Sequence, residues 1–171
     1  MIHVDTAPAR FKCRVPGGLE SARISRSPDL EEPPLIQYPL VSILIVNYNT
    51  CSLVRDCLES LRGVTYPAVE VLCVDNGSAD GSARMIREDF PEVRLFESVD
   101  NLGFVGANLL AYPQAGGEYI LFLNSDTTVE PDFLNILVDF MEAHPVAGAC
   151  EPKILWMKDL TKLDSVGDFL T

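Results

Sequence analysis

Val41-Ser42-Ile43-Leu44-Ile45-Val46 runs directly into Asn47-Tyr48-Asn49, and that junction decides the fold. Branched apolar residues at this density form a strand. The near absence of polar alternation means that both faces are covered, as in a parallel sheet. Two other stretches repeat the design. Val71-Leu72-Cys73-Val74 ends in Asp75-Asn76-Gly77-Ser78, and Tyr119-Ile120-Leu121-Phe122-Leu123 ends in Asn124-Ser125-Asp126-Thr127. Ligands of open α/β sheets bind beyond the carboxyl ends of the strands. Three polar clusters at three strand ends therefore mark where chemistry is expected.

Amphipathic stretches separate these strands. Leu53, Cys57 and Leu61, with Val54 and Leu58 beside them, make one apolar stripe over about 51–62. A second helix is expected near 79–90, with Ala83, Ile86 and Phe90 inward, Ser78 or Asp80 as its cap and Pro91 as its stop. Val93 to Phe96 reads as a strand, followed by a helical stretch that Pro113 closes. The helix after Pro131 runs to about His144 with Phe133, Leu137, Phe140 and Met141 inward, and a short strand near 146–150 is expected after it. Strands alternating with helices of this length form βαβ units with right-handed crossovers. The fold class is therefore α/β, with a mainly parallel sheet and helices on both faces. Residues 1–39 hold Pro16-Gly17-Gly18 and Glu31-Glu32-Pro33-Pro34 and no sustained period, so they read as a flexible arm ahead of a 40–171 domain.

Composition excludes several classes. The chain has 171 residues and a formal charge of −12. Residues 1–39 hold five acids and five bases, so the 20 acids and 8 bases that remain of 25 and 13 carry the whole excess. A domain this acidic repels nucleic-acid backbones, and no nucleic-acid partner is expected. It also needs a cation or aimed N–H groups to hold a polyphosphate. No apolar run approaches the roughly 18 residues of a membrane span, and the first residues are not those of a secretory signal. The expectation is a cytosolic protein, a peripheral position at the inner membrane face included. Five cysteines form no C-x-x-C pair and read as reduced structural thiols, Cys57 and Cys73 buried.

The strand ends supply the candidate site residues. Asp75 can accept hydrogen bonds from a nucleobase imide or ribose hydroxyls, or simply cap its own turn. Gly77 permits a tight bend with positive φ. Asp126, just past an apolar strand, suits Mg²⁺ or Mn²⁺, hard cations that prefer oxygen, with a diphosphate completing the shell. Asn101, Gly103, Gly106 and Asn108 open a helix whose N-terminus could approach a pyrophosphate, although glycine for packing is an equal reading. A dinucleotide-type G-x-G-x-x-G after the first strand, a P-loop and a G-x-S-x-G elbow are all absent.

In their order and spacing the segments 41–49, 74–82, 101–104 and 119–127 resemble inverting glycosyltransferases of family 2, which have the GT-A fold. The match covers roughly residues 40–167. The resemblance implies transfer of a sugar from a nucleotide-diphosphate donor to a saccharide or lipid-linked acceptor hydroxyl. It implies a donor pocket of Asn47, Tyr48, Asn49, Asp75, Asn76, Gly77, Asn101, Gly106, Asn108, Asn124 and Asp126, with Asp126 as the metal ligand. Asn124 replaces the first acid of the family's Asp-x-Asp motif, as in a rhamnosyltransferase-like branch, which suggests a dTDP-rhamnose-type donor. The family's catalytic base would lie well beyond Asp126, and no Glu-Asp pair there matches it. The expectation is a donor half without its acceptor half, with apolar surface exposed around Ile154 to Met157 for self-association or a partner chain. A non-catalytic nucleotide-sugar-binding module is the alternative. A flavodoxin-like domain would want acids after the first strand, and a nucleotidyltransferase a basic Gly-rich loop there.

Overall fold

The computed structural model describes residues 2–4 and 38–165. In chain order the elements are β1 (Ile2–Val4), β2 (Val41–Asn47), α1 (Cys51–Arg62), β3 (Val69–Asp75), α2 (Ser82–Asp89) and β4 (Arg94–Glu97). Then come α3 (Gly103–Ala111), a 3₁₀ turn (Tyr112–Gln114), β5 (Tyr119–Asn124), β6 (Thr127–Val129), α4 (Phe133–Ala143), β7 (Ile154–Trp156) and β8 (Asp159–Ser165).

The main sheet has the order β4-β3-β2-β5 and every pair is parallel. β2 lies at its centre, and its apolar run is buried on both faces. Ile43 and Ile45 join Val54, Cys57 and Leu58 of α1, Ile86 and Phe90 near α2, and Phe133, Leu134 and Val138 of α4. On the opposite face Leu44, Leu72 and Val74 pack against Ala107 and Ala111 of α3. The α/β class with a parallel sheet covered on both sides is thus observed. Its all-parallel order sends every carboxyl end to one rim.

At the amino end, Ser42 donates to Glu70 Oε1 over 2.6 Å and accepts the Gly117 N–H over 2.8 Å. A Cβ on Gly117 would lie 2.6 Å from the Ser42 nitrogen, so the turn into β5 requires glycine there. Burial opposes ionisation of Glu70, but hydrogen bonds from Ser42, Gly116 and Arg94 hold its carboxyl below the usual range.

Several details depart from the sequence-based expectations. No strand forms between residues 146 and 150. Ala147-Gly148-Ala149 lacks branched residues, and Val146 is exposed. Strands form instead at Thr127-Thr128-Val129, which starts on the last residue of the polar cluster 124–127, and at β7 and β8. These make a second sheet of order β6-β1-β7-β8. Residues 2–4, assigned to the arm, form its β1, parallel to β6 and antiparallel to β7. The rest of the arm expectation, residues 5–37, lies outside the described residues. The inward face of α4 is Phe133, Leu134 and Val138, whereas Phe140 is 44% exposed and stacks on His144 at 4.3 Å. Around β7 the surface is mixed, with Leu155 buried and Trp156 about half exposed.

Among the described residues, no helix is long and apolar enough to cross a membrane.

Candidate functional site at the carboxyl rim

Register aligns the rim. Asn47, the last residue of β2, pairs with Asp75, the last of β3, and Val46 pairs with Asn124, the last of β5. Asp75 and Asp126 therefore leave the same edge on either side of β2, two inter-strand steps of roughly 5 Å apart.

Asn47 is 0% exposed, Asn76 2% and Asp75 3%, and hydrogen bonds fix all three. Asn47 Nδ2 donates to Asp75 Oδ2 over 2.9 Å and to Ser78 Oγ over 3.2 Å. The Ser78 N–H donates to Asp75 Oδ1 over 2.9 Å, so Asp75 does cap its own turn. Each of its oxygens keeps a lone pair beyond these bonds. Gly77 has φ of +81°, and a Cβ there would meet Asp100 C at 3.1 Å and Val99 O at 3.2 Å. Only glycine fits both the backbone and the space.

Asn49 also has positive φ, 53°, an αL position that asparagine tolerates. Its N–H donates to Ser78 Oγ over 2.9 Å and its Oδ1 accepts the Ala79 N–H over 2.8 Å. Tyr48, beside it, is about half exposed. Asp80 does not simply cap α2. Its Oδ1 accepts from Ser82, and its Oδ2 accepts the Cys51 N–H, the first of α1, over 2.8 Å. Burial works against ionisation here, yet these bonds hold the Asp80 carboxyl below its usual range.

Asn76 reaches the next loop. Its Nδ2 donates to Asn101 Oδ1 over 2.9 Å and its Oδ1 accepts the Leu102 N–H over 2.8 Å. Gly103, at φ +70°, donates its N–H to the same Asn101 oxygen and starts α3. Gly106 and Asn108 are not drawn into this network. A Cβ on Gly106 would lie 3.0 Å from Leu102 Cβ, so its small size serves packing. Asn108 Nδ2 donates to the Phe104 carbonyl of its own helix over 2.9 Å.

On the far side of β2, Asn124 is exposed and Asp126 is half-buried in the β5–β6 turn. Cys57 of α1 lies beneath, its thiol 3.8 Å from the Asn124 carbonyl oxygen. Burial, together with the Asp126 charge, pushes that thiol up to about 12. Among the described residues no three His, Cys, Asp or Glu side chains gather into a metal cage. The chain offers one carboxylate with an amide oxygen nearby in sequence, a donor set that fits a hard cation shared with phosphate oxygens.

Thr50 escaped the sequence analysis. It precedes α1 as an ordinary N-cap, yet its hydroxyl donates to Asn47 Oδ1 over 2.6 Å and lies 3.2 Å from Ser125 Oγ. Nothing local in the sequence links it to a residue 75 positions away.

Comparison with known proteins identifies the family and the fold. A putative glycosyltransferase, EpsH, of Bacillus subtilis (strain 168) is 36% identical over 100 residues, which are 57% of this chain and 29% of that protein. The chondroitin synthase of Escherichia coli is 36% identical over 113 residues, 64% of this chain and 16% of that protein. The chain thus spans less than a third of either relative. Among solved structures, the mannosyltransferase PcManGT of Pyrobaculum calidifontis, in complex with GDP-Man and Mn2+, superposes with a TM-score of 0.63 at 26% identity. That match covers 74% of this chain and 38% of that one. S. aureus TarS 1-349 in complex with UDP gives 0.57 at 25% identity, over 62% of this chain and 33% of that one. The model of glycosyl transferase family 2 matches residues 42–158, more than half the chain, and the protein belongs to that family.

Proposed function

We propose that the rim binds a nucleoside diphosphate sugar and that the chain serves transfer of that sugar to an acceptor hydroxyl with inversion. What supports this is the common edge: Asp75 and Asp126 leave it on either side of β2, as a nucleoside and its diphosphate would require. In this proposal Asp75 receives the base or ribose, with Asn47 and Tyr48 beside it. Asn76 and Asn101 hold the loop that opens α3, taking the Leu102 and Gly103 N–H groups themselves. Asp126, with Asn124 nearby, would hold Mg²⁺ or Mn²⁺. That metal, when bound, neutralises charge on the departing diphosphate. A neighbour in complex with GDP-Man and Mn2+ and another in complex with UDP support a nucleotide site of this kind.

A deoxythymidine-diphosphate sugar rests on the Asn124-Ser125-Asp126 form alone, while the neighbours carry GDP-Man and UDP. No carboxylate is assigned as the base that takes the acceptor proton, a group inverting transfer needs. We infer that the 171-residue chain binds donor and turns over weakly. Calorimetry of the chain with UDP, GDP and dTDP in Mn²⁺ tests the proposal. Saturable binding of one of them is expected, and no binding of any would overturn it. Robust transfer by the chain would overturn the weak-turnover inference.

A further inference from the structure

We propose that Thr50 is a positioning residue: its hydroxyl fastens the turn carrying Asp126 to the strand ends carrying Asp75, and metal-assisted diphosphate binding depends on it. The inference rests on the donor-site proposal above.

A threonine at an N-cap ordinarily turns its hydroxyl to the free N–H groups of its own helix, which stabilises the helix by about 1 kcal/mol. Thr50 does not. No side-chain cap bond is made at the start of α1, where Asp80 takes the Cys51 N–H. The Thr50 hydroxyl faces the site.

Proton counting gives the chain of bonds a direction. Thr50 has one hydroxyl hydrogen, and Asn47 Oδ1 at 2.6 Å takes it. The 3.2 Å contact with Ser125 must then have Ser125 as donor and Thr50 as acceptor. Asn47 in turn donates from Nδ2 to the Asp75 carboxylate. Three successive donors, Ser125, Thr50 and Asn47, thus point toward one buried charge, an arrangement in which each bond polarises the next. The chain begins at the residue before Asp126 and ends on Asp75. The Cys57 thiol near the Asn124 carbonyl ties the same turn from about two helical turns further along α1.

Removing the Thr50 hydroxyl would leave the oxygen of a fully buried asparagine without its donor and free Ser125 to rotate. The ligand of the proposed metal would then sit on a looser turn, while the bonds from Asn47 Nδ2 and the Ser78 N–H to Asp75 would remain. The loss should therefore appear in the metal-dependent part of binding.

The test is calorimetry with UDP, GDP and dTDP, each with and without Mn²⁺, on wild type, Thr50→Val, Thr50→Ser, Ser125→Ala and Asp126→Ala, with circular dichroism melts of each. Thr50→Val should lose the Mn²⁺-dependent gain by about tenfold while metal-free affinity stays within about twofold, as expected for one buried bond. Thr50→Ser, which keeps the hydroxyl, should restore it. Ser125→Ala should reproduce the loss from the other side without touching the N-cap, which covers the case of a Val variant that does not fold. If Asp126→Ala loses the metal-dependent gain but Thr50→Val and Ser125→Ala keep it, the assignment of Thr50 is wrong and the donor site stands. If Val and Ser are equally impaired, the hydroxyl is not what matters and the assignment again fails. If Asp126→Ala binds like wild type, the donor-site proposal falls and takes Thr50 with it.

Discussion

Asn47 donates its amide to the Asp75 carboxylate over 2.9 Å, at the last matched position of the two central strands. The bond closes the sheet and orients an acid that could otherwise swing into solvent. Asn47→Ala would strip a partner from Asp75, Ser78 and Thr50 at once. A loss of about 1–3 kcal/mol in urea unfolding is expected, the usual cost of leaving buried polar groups unpaired. A change below about 0.5 kcal/mol, within the range of a neutral surface substitution, would show that the network is redundant.

Gly77→Ala meets two obstacles together, a φ of +81° and backbone atoms of Val99 and Asp100 within 3.2 Å of the new Cβ. The left-handed conformation alone costs about 1–2 kcal/mol for a residue with a side chain. Gly81→Ala is the control, because φ is +88° there but no atom lies within 4 Å. Gly77→Ala should lower the urea midpoint more than Gly81→Ala does. Equal effects would mean that the loop moves aside without cost.

Asp80 links the starts of α1 and α2, and its bonds hold its carboxyl below the usual range. A depressed carboxylate contributes stability that is complete above its unfolded pKa, about 4, and is lost as pH falls through the lower folded value. The melting temperature of Asp80→Asn should therefore lie below wild type by a constant margin between pH 5 and 8, a span above both values. The margin should shrink below about pH 4, where wild type loses the same charge. A margin unchanged at low pH would place the stabilisation outside the carboxylate's ionisation.

Burial pushes the Cys57 thiol up to about 12 and raises that of Cys73 as well. Both have 0% exposure. Iodoacetamide at pH 8, read by mass spectrometry, should label Cys150 in the native chain and spare these two until urea is added, because the thiolate is the nucleophile. Native labelling of Cys57 would mean that α1 opens beside the Asp126 turn.

Much of this architecture was legible in the sequence. The three runs 41–46, 71–74 and 119–123 are almost wholly apolar, and a parallel sheet covered on both faces is what buries such runs. The polar residue types that follow them could then sit only at one rim. What could not be read depends on distances in space. Thr127-Thr128-Val129 is too short to read as a strand from sequence, and it forms one with residues 2–4 paired beside it. Gly106 could be read as a close approach to pyrophosphate or as packing, and only the structure shows that a Cβ there would meet Leu102 and that Asn108 bonds within its helix. Thr50 looks like a helix cap until Ser125 is brought to 3.2 Å.

Asp126→Ala tests the central claim most directly: that the carboxylate past β5 works together with Asp75 on one nucleotide. The nucleoside diphosphate that wild type binds should be titrated by calorimetry into both proteins, with and without Mn²⁺. Wild type should bind more tightly with the metal, and the variant should show equal, weak affinity in both conditions. A variant that keeps the full Mn²⁺-dependent gain would contradict the account and remove Asp126 from the site.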